Sequence, residues 1–226
     1  MSGLQGGLVS SAESRLQSVQ LDIGKAARLA RRDPGEITLI AVSKTREPRE
    51  IVELIAAGQR HFGESRVQEA LAKWPVLRED YSEIVLHCIG RLQSNKAAEA
   101  IRLFDVIHSV DRISLLDALA KEAEKVGRHP RVYVQVNIGE EEQKGGCAIS
   151  EVGTLVDAVR ASPLPVAGLM AIPPLDVEPA PYFALLAKLA RRAGVQGLSM
   201  GMSADFKAAV MLGATAVRVG TALFED

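Results

Sequence analysis

The sequence predicts a single α/β domain, a (β/α)₈ TIM-type barrel with an extra N-terminal helix. Eight short apolar runs alternate with segments of helical periodicity, and no two runs are joined by a hairpin signal. Strands that alternate with helices form a parallel sheet with right-handed crossovers, and eight such units close most naturally into a barrel. The 226 residues also suit one barrel. An open doubly wound sheet is the alternative, but the first strand–helix turn, SKTREP, lacks GxGxxG.

The first segment predicts one long amphipathic helix. Ser10 and Glu13 have the spacing of a capping box, and apolar residues then recur at helical intervals up to about Arg32. Residues 33–35, Asp-Pro-Gly, end the helix. We assign residues 1–36 to this helix and its linker.

The remaining elements follow in order over residues 37–224, which we assign to the barrel of a single domain, 1–226. The predicted strands are 37–43, 61–62, 84–89, 104–109, 132–138, 166–172, 196–199 and 215–219. The helices between them are predicted to begin near Pro48, Val67, Gln93, Ile113, Ser150, Pro181 and Ser203, with Ser150 and Ser203 as N-caps. The fifth helix extends at least to Val159, and the others are predicted to end near Gly58, Pro75, Arg102, Gly127, Ala193 and Gly213. A short last turn follows Gly220.

Composition favours a small-molecule partner. Apolar residues make up 47% and charged residues 24%, and the formal net charge is −1, so no long-range field would recruit nucleic acid or an acidic membrane. No apolar stretch approaches the ~20 residues of a membrane span, and the N-terminus lacks a signal-peptide core. Cys88 and Cys147 match no metal-ligand spacing and imply no disulfide framework. We expect a cytoplasmic protein with no metal site.

Lys44 is the first candidate for chemistry. It directly follows the apolar run 37–43, and Pro48 then opens a helix, which places its amine at the mouth of a barrel. Partial desolvation there would favour the neutral, nucleophilic amine, which can form a Schiff base with an aldehyde. A solvated lysine that opens a loop is the alternative, and position alone favours it.

Two glycine-containing segments suggest a phosphate site. SMGMS, residues 199–203, precedes the seventh helix, and RVGT, residues 218–221, ends the eighth strand. Glycine lets the backbone approach an anion, helix N-termini supply free N–H donors, and these two loops are the usual phosphate position in such barrels. Either glycine alone is better explained as a turn residue, and the two together make the phosphate site and the turn equally well supported.

Arg218 and the histidines are the remaining candidate functional residues. At the end of the last strand, Arg218 is expected to face a ligand or to pair with a carboxylate, and beside a pyridine nitrogen it would disfavour protonation there. His61 and His87 are interpreted as core or rim groups. His108 lies near the predicted rim, where ligand contact is the less favoured reading.

The motifs LIAVSKT, HFGES, CIGRLQSNK, GLMAIP, LSMGMSADFKAAV and GATAVRVGTALF occur in order over about residues 37–224. Together they resemble the YggS-like family of pyridoxal phosphate (PLP) homeostasis proteins, also called PLPBP or PROSC. That family is similar to the N-terminal barrel of alanine racemase and of eukaryotic-type ornithine decarboxylase.

The resemblance implies PLP held as a Schiff base on Lys44. The other cofactor-binding residues that it implies are Ser65, Met202, Ser203, Arg218, Gly220 and Thr221. Ser203, Gly220 and Thr221 would contact the phosphate, and Arg218 would face the pyridine nitrogen. Ser65 replaces the asparagine of the family's FGEN motif, and the chain ends in Phe-Glu-Asp without the family's FG-R tail.

We therefore expect a monomeric cofactor carrier or regulator that could supply PLP-dependent apoenzymes and has no robust catalytic activity. Racemisation needs proton transfer on both faces of a carbanion, and this sequence offers one obvious base, Lys44. Alanine racemase takes its second base from a C-terminal domain, whereas this sequence stops after the eighth strand. A PLP-dependent racemase of narrow activity and a PLP-free Schiff-base lyase are the alternatives. The loop 140–147 is either a lid or a long turn.

Overall fold

Eight parallel strands close into a barrel in chain order, in a computed structural model that describes residues 11–225. The strands are Thr38–Val42 (β1), His61–Glu64 (β2), Val85–Cys88 (β3), Val106–Val110 (β4), Arg131–Gln135 (β5), Val166–Met170 (β6), Gly197–Ser199 (β7) and Ala216–Val219 (β8). β8 pairs with β1 to close the ring, with Ile40 beside Arg218. The predicted (β/α)₈ barrel is confirmed.

Helices surround the barrel, and the extra N-terminal helix is present. They are Ser11–Leu29 (α1), Pro48–Ala56 (α2), Val67–Asp80 (α3), Ala97–Leu103 (α4), Ile113–Val126 (α5), Val152–Ala161 (α6), Ala180–Arg192 (α7), Phe206–Met211 (α8) and Thr221–Phe224 (α9). α1 packs against α8 and α9. Ser10, the predicted capping residue, lies outside the described residues. Within residues 11–225 no helix combines the length and apolarity that crossing a bilayer requires.

Pro75 does not end its helix, so that prediction is wrong. α3 continues through Pro75 to Asp80, and it buries Trp74 and Leu77 on either side of the proline. Proline removes the hydrogen bond to the carbonyl four residues earlier, on Leu71. Because Pro75 and Leu71 are both exposed, water can satisfy that carbonyl while the buried face holds the helix together.

The two predicted serine caps are also wrong. α6 follows a 3₁₀ turn, Ile149–Glu151, in which the Glu151 side chain accepts from the Ala148 N–H at 3.1 Å. α8 begins after Asp205, whose carboxylate accepts from the Met202 N–H at 2.6 Å. A serine cap accepts from an N–H two or three residues later, but before α8 the Asp205 and Phe206 N–H groups donate to the Met202 carbonyl, and the Ser203 hydroxyl accepts from the Gly220 N–H.

Side chains along each strand alternate between two cores. Leu39 and Ala41 belong to the outer core between strands and helices, whereas Val106, Tyr133 and Met170 cluster together away from it. β6 and β7 approach closely where glycine faces glycine: a Cβ on Gly168 would lie 1.9 Å from the Gly197 carbonyl oxygen. Closure of this part of the barrel therefore depends on the absence of a side chain.

We predict that Gly168→Ala lowers the free energy of unfolding by about 3 kcal/mol, because the added methyl must push β6 away from β7. Urea denaturation followed by circular dichroism measures the effect. Gly153→Ala is the matched control. Gly153 is exposed within α6, and its added Cβ meets no atom within 4 Å. It should raise stability by about 0.5–1 kcal/mol. Equal losses in the two variants would contradict the close-approach argument.

Candidate functional site

Lys44 and the 218–221 segment lie in the same sector of the barrel mouth. β1 and β8 are neighbours, with Ala41 beside Val219. Gly220, the next residue along, lies against Val42, and a Cβ on Gly220 would be 3.4 Å from the Val42 Cβ. Lys44 follows two residues after Val42. The barrel thus brings together two predicted pieces of the site that are about 175 residues apart in the sequence.

Hydrogen bonds with two α3 residues, Glu69 and Lys73, hold the turn that carries Lys44. Thr45 adopts a left-handed backbone (φ 61°), and its N–H donates to the Glu69 carboxylate. The Lys73 ammonium donates to the Ser43 carbonyl at 2.9 Å. Lys44 itself is exposed, so the expected partial desolvation is wrong in this structure. The reason is that Lys44 belongs to the turn beyond the end of β1 rather than to the strand.

A buried ion pair supports this turn. Glu64 is fully buried and Lys73 is 10% exposed, and Lys73 Nζ lies 2.9 Å from Glu64 Oε1. The same carboxylate oxygen accepts from Ser43 Oγ at 2.8 Å and from Trp74 Nε1 at 3.0 Å. Sequence reasoning missed Lys73 because its spacing from Glu69 is typical of a solvated helix face. The contact joins β2 to α3, and both of its members bond to Ser43, the residue before Lys44.

The two predicted phosphate segments touch each other. The Gly220 N–H donates to Ser203 Oγ at 3.2 Å, and the Arg218 N–H donates to the Gly201 carbonyl at 2.9 Å. Ser203 and Gly220 are half-buried, and Thr221 is exposed as the first residue of α9. These two bonds hold the Ser203 hydroxyl beside the start of α9 at the edge of the mouth. Hydroxyl groups and the N–H groups at the start of a helix are donors that bind anions.

Arg218 is a buried cation beneath these segments. It is 3% exposed, and it donates to Ser199 Oγ at 2.5 Å and to the Ala171 carbonyl at 3.1 Å. Among the described residues it forms no ion pair, although the charge of Asp205 acts on it. Burial lowers the pKa of Arg218 to about 10. A buried guanidinium held by neutral oxygens suits a ligand with an acceptor atom above it.

Two further predicted residues lie at the mouth. Ser65 directly follows β2, the other neighbour of β1, and it is half-buried. The loop after β3 crowds it, because a Cβ on Gly90 would lie 2.1 Å from the Ser65 carbonyl oxygen. Met202 is half-buried in the loop after β7. Ser65 and Met202 thus flank the sector that holds Lys44 and Gly220.

His108 is not at the rim, so that interpretation is wrong. It is fully buried inside the barrel, where its ring stacks on Tyr133 with centroids 4.5 Å apart. The reason is the greater length of β4, which runs two residues beyond His108 to Val110. His87 is a core residue and His61 is half-buried, which confirms the interpretation of both.

The cysteines and the loop 140–147 have structural roles. Cys88 and Cys147 are buried, and burial raises the pKa of each thiol to about 12, which disfavours the nucleophilic thiolate. The Cys147 N–H donates to the Gln135 carbonyl at 2.9 Å, and Lys144 Nζ donates to the Pro173 carbonyl at 3.1 Å. These bonds anchor the loop, which favours the long turn over the lid.

Comparisons with known proteins identify relatives that match nearly the whole chain. Residues 22–226 match the family described as alanine racemase, N-terminal domain. The chain is 41% identical over 223 residues to the pyridoxal phosphate homeostasis protein of Pseudomonas aeruginosa, with 96% of each chain covered. PipY of Synechococcus elongatus, solved with PLP bound, is 38% identical with a TM-score of 0.82, covering 95% of this chain and 100% of that chain. Alanine racemase of Clostridium difficile shares the fold at 14% identity, with a TM-score of 0.71, over 93% of this chain and 56% of its own.

Proposed function

The chain belongs to the family of pyridoxal phosphate homeostasis proteins, and from that membership we propose that it binds pyridoxal 5′-phosphate at the barrel mouth and buffers it for other proteins. The observation that carries the proposal is the convergence of Lys44, Ser203 and Gly220 in one sector above a buried arginine. An amine, a set of anion donors and a cation below them match the aldehyde, the phosphate and the ring nitrogen of this cofactor.

Each part of the cofactor is assigned to particular residues of the barrel mouth. The Lys44 amine would hold the cofactor through its aldehyde, as a Schiff base formed with loss of one water molecule. Ser203, Gly220 and Thr221 would hold the phosphate. Arg218 would lie towards the ring nitrogen, and Ser65 and Met202 would border the ring. Bound PLP would supply an electrophilic carbon and an electron-accepting ring. Arg218 would weaken that acceptance, because its charge disfavours protonation of the ring nitrogen.

Two features support a carrier over a two-base racemase. Lys44 is exposed, so water can reach the Schiff base and reverse the condensation, which releases the cofactor. The chain has three tyrosines: Tyr133 stacks on His108 inside the barrel, and Tyr81 and Tyr182 pack against the outer core. None of these phenols is placed opposite Lys44 as a second proton donor. Delivery to PLP-dependent apoenzymes and a monomeric state are parts of the same proposal.

Absorption spectroscopy tests the binding. Titration of the purified full chain with PLP should produce the yellow colour of a Schiff base. Borohydride reduction followed by peptide mass spectrometry should then locate the adduct on Lys44. A protein that stays colourless in excess PLP would overturn the proposal. Deuterium entry at the α-carbon of single-enantiomer amino acids at about 1 s⁻¹ or faster would overturn the carrier role and favour a racemase.

A further inference from the structure

A row of hydrogen-bonded side chains crosses the barrel interior and ends on Arg218. His61 Nδ1 lies 3.0 Å from His87 Nε2, and His87 Nδ1 lies 2.9 Å from His108 Nε2. His108 Nδ1 lies 2.8 Å from Ser199 Oγ, which accepts from Arg218 at 2.5 Å. The four residues His61, His87, His108 and Ser199 form what we call the interior row. Each comes from a different strand, and Arg218 comes from a fifth strand.

Arg218 fixes the direction of the hydrogen bond between Ser199 and His108. A guanidinium has five N–H donors and no acceptor, so Ser199 Oγ can only accept from it. The Ser199 side chain is buried, and the other partner of its hydroxyl among residues 11–225 is His108 Nδ1. If His108 Nδ1 carried a hydrogen, the buried hydroxyl hydrogen of Ser199 would have no acceptor, which is costly. Ser199 therefore donates to His108 Nδ1, and that nitrogen is unprotonated.

The same direction continues through the other two rings. Burial lowers the pKa of His87 and His108 well below the ordinary histidine value, and it lowers the pKa of His61 as well, so the three rings are neutral at pH 7. A neutral imidazole carries one N–H donor and one acceptor nitrogen. His108 must then donate from Nε2 to His87 Nδ1, and His87 must donate from Nε2 to His61 Nδ1. All three rings have the same tautomer, and the acceptor side of each ring points towards Arg218.

Arg218 keeps its charge without a counter-ion. In the part of the chain that the structure describes, no carboxylate forms an ion pair with Arg218, and Asp205 acts on it through its charge alone. Its pKa of about 10 leaves it protonated at pH 7. Its Nη1 donates to Ser199 and its Nη2 to the Ala171 carbonyl, so two bonds from different nitrogens hold the plane of the guanidinium. The aligned dipoles of the interior row stabilise the positive charge without neutralising it, as a paired carboxylate would.

Packing and metal binding are poor explanations for the interior row. TIM-barrel interiors are normally filled by branched apolar side chains, which have no hydrogen-bond requirement. Three imidazoles must instead each find a donor and an acceptor, and a half-satisfied polar network is worse than an apolar core. The rings bond to one another in series, and nowhere in residues 11–225 do three His, Cys, Asp or Glu side chains form a metal-binding group. The contact with Arg218 is the remaining role.

We propose that the interior row positions Arg218: His108, acting through Ser199, orients the guanidinium and leaves its charge uncompensated towards the barrel mouth. The use of this arrangement rests on the proposed function, in which Arg218 lies towards the ring nitrogen of PLP. A fixed guanidinium donates to an acceptor nitrogen and disfavours a protonated one. His108 is therefore a specificity-determining residue. It makes the site prefer a ring with an acceptor nitrogen at that place over a ring with a C–H group.

Nitrogen NMR of the full chain without cofactor tests the direction of the interior row. In protein labelled with ¹⁵N-histidine at pH 7, we expect a protonated Nε2 and an unprotonated Nδ1 in His61, His87 and His108. His129 is exposed and outside the row, so it is the internal reference for a ring in water. A hydrogen on Nδ1 of His108, or a charged ring anywhere in the row, would overturn the proposal.

His108→Leu and His108→Asn are the matched variants for the effect on specificity. Leucine cannot accept from Ser199, whereas asparagine places an amide oxygen near the position of Nδ1. The probes are PLP and 1-deaza-PLP, in which a C–H group replaces the ring nitrogen. The unaltered protein should bind PLP at least about tenfold more tightly than the analogue. His108→Leu should reduce this ratio by at least about threefold, and His108→Asn should keep it within about twofold.

A merely structural role of His108 would weaken both ligands equally, so a ratio that His108→Leu leaves unchanged would overturn the positioning role. If His108→Leu fails to fold, Ser199→Ala decides, because it removes the same link to Arg218 and should reduce the ratio in the same way. Failure here is distinguishable from failure of the proposed function. A Lys44 adduct with an unchanged ratio refutes the positioning role alone. The expected tautomers in a chain that does not bind PLP refute cofactor binding alone.

Discussion

Lys44→Ala is expected to abolish covalent attachment of PLP. The variant cannot form the carbon–nitrogen bond, so the yellow colour and the borohydride-reduced adduct should both be lost. The apparent affinity for PLP should fall by at least about tenfold, because phosphate and ring contacts alone remain. Lys44 is exposed, so the free energy of unfolding should change by no more than about 0.5 kcal/mol. Absorbance titration, mass spectrometry and urea denaturation measure these three quantities.

Lys96→Ala is the matched control for this experiment. Lys96 is another lysine that follows a barrel strand, and it is half-buried and paired with Glu99 at 3.2 Å. Its removal should leave the yellow species and the Lys44 adduct intact. If Lys44→Ala retained a reduced adduct, the wrong lysine would have been chosen, and Lys96 and Lys144 would be the next candidates.

Lys73→Met is expected to lower the free energy of unfolding by about 3–5 kcal/mol, since it leaves the buried Glu64 carboxylate without its cation. Ser43 and Trp74 would still donate to that carboxylate, but neither is charged. The variant also loses the bond from Lys73 to the Ser43 carbonyl, next to Lys44. Slower formation of the Lys44 adduct should therefore accompany the loss of stability. Urea denaturation and stopped-flow absorbance measure the two effects.

A double-mutant cycle tests the cause. Adding Glu64→Gln to Lys73→Met removes the unpaired charge, so the double variant should be less destabilised than the sum of the two single variants. Glu69→Gln is the control, because Glu69 also contacts Lys73 at 2.9 Å but is 27% exposed. Its loss should be about 1 kcal/mol or less. Additive losses across the cycle would show that the pair is not coupled.

Local patterns were sufficient to predict most elements of the barrel. Three features were predictable because each depends on residues adjacent in the sequence: the strand before Lys44, the helix that begins at Pro48, and the end of α5. Gly127 ends α5 in a left-handed conformation (φ 66°), as its position indicated. The predictions at Ser150 and Ser203 failed because each serine lies in a turn ahead of its helix, and Glu151 and Asp205 occupy the N-cap positions instead. Pro75 failed because burial of Trp74 and Leu77 outweighed one lost hydrogen bond.

The candidate site divides in the same way. The placement of Lys44, Gly220 and Ser203 at one end of the barrel was predictable, since each lies at the end of a predicted strand or the start of a predicted helix. The exposure of Lys44, the burial of His108 and the Lys73–Glu64 pair were not predictable. The first two depend on the residue at which a strand ends. The ion pair depends on a neighbour that is distant in the sequence.

The fold class, the order of the elements and the residues at the strand ends follow from the amino-acid sequence alone, because periodicity and turn chemistry act over a few residues. The contacts between distant residues, inside the barrel and between strands and helices, are seen only in the folded chain. His108 and Ser199 are 91 residues apart and Lys73 and Ser43 are 30 apart, yet both pairs are in hydrogen-bond contact. Barrel closure and strand register create such contacts, and no local pattern in the chain encodes them.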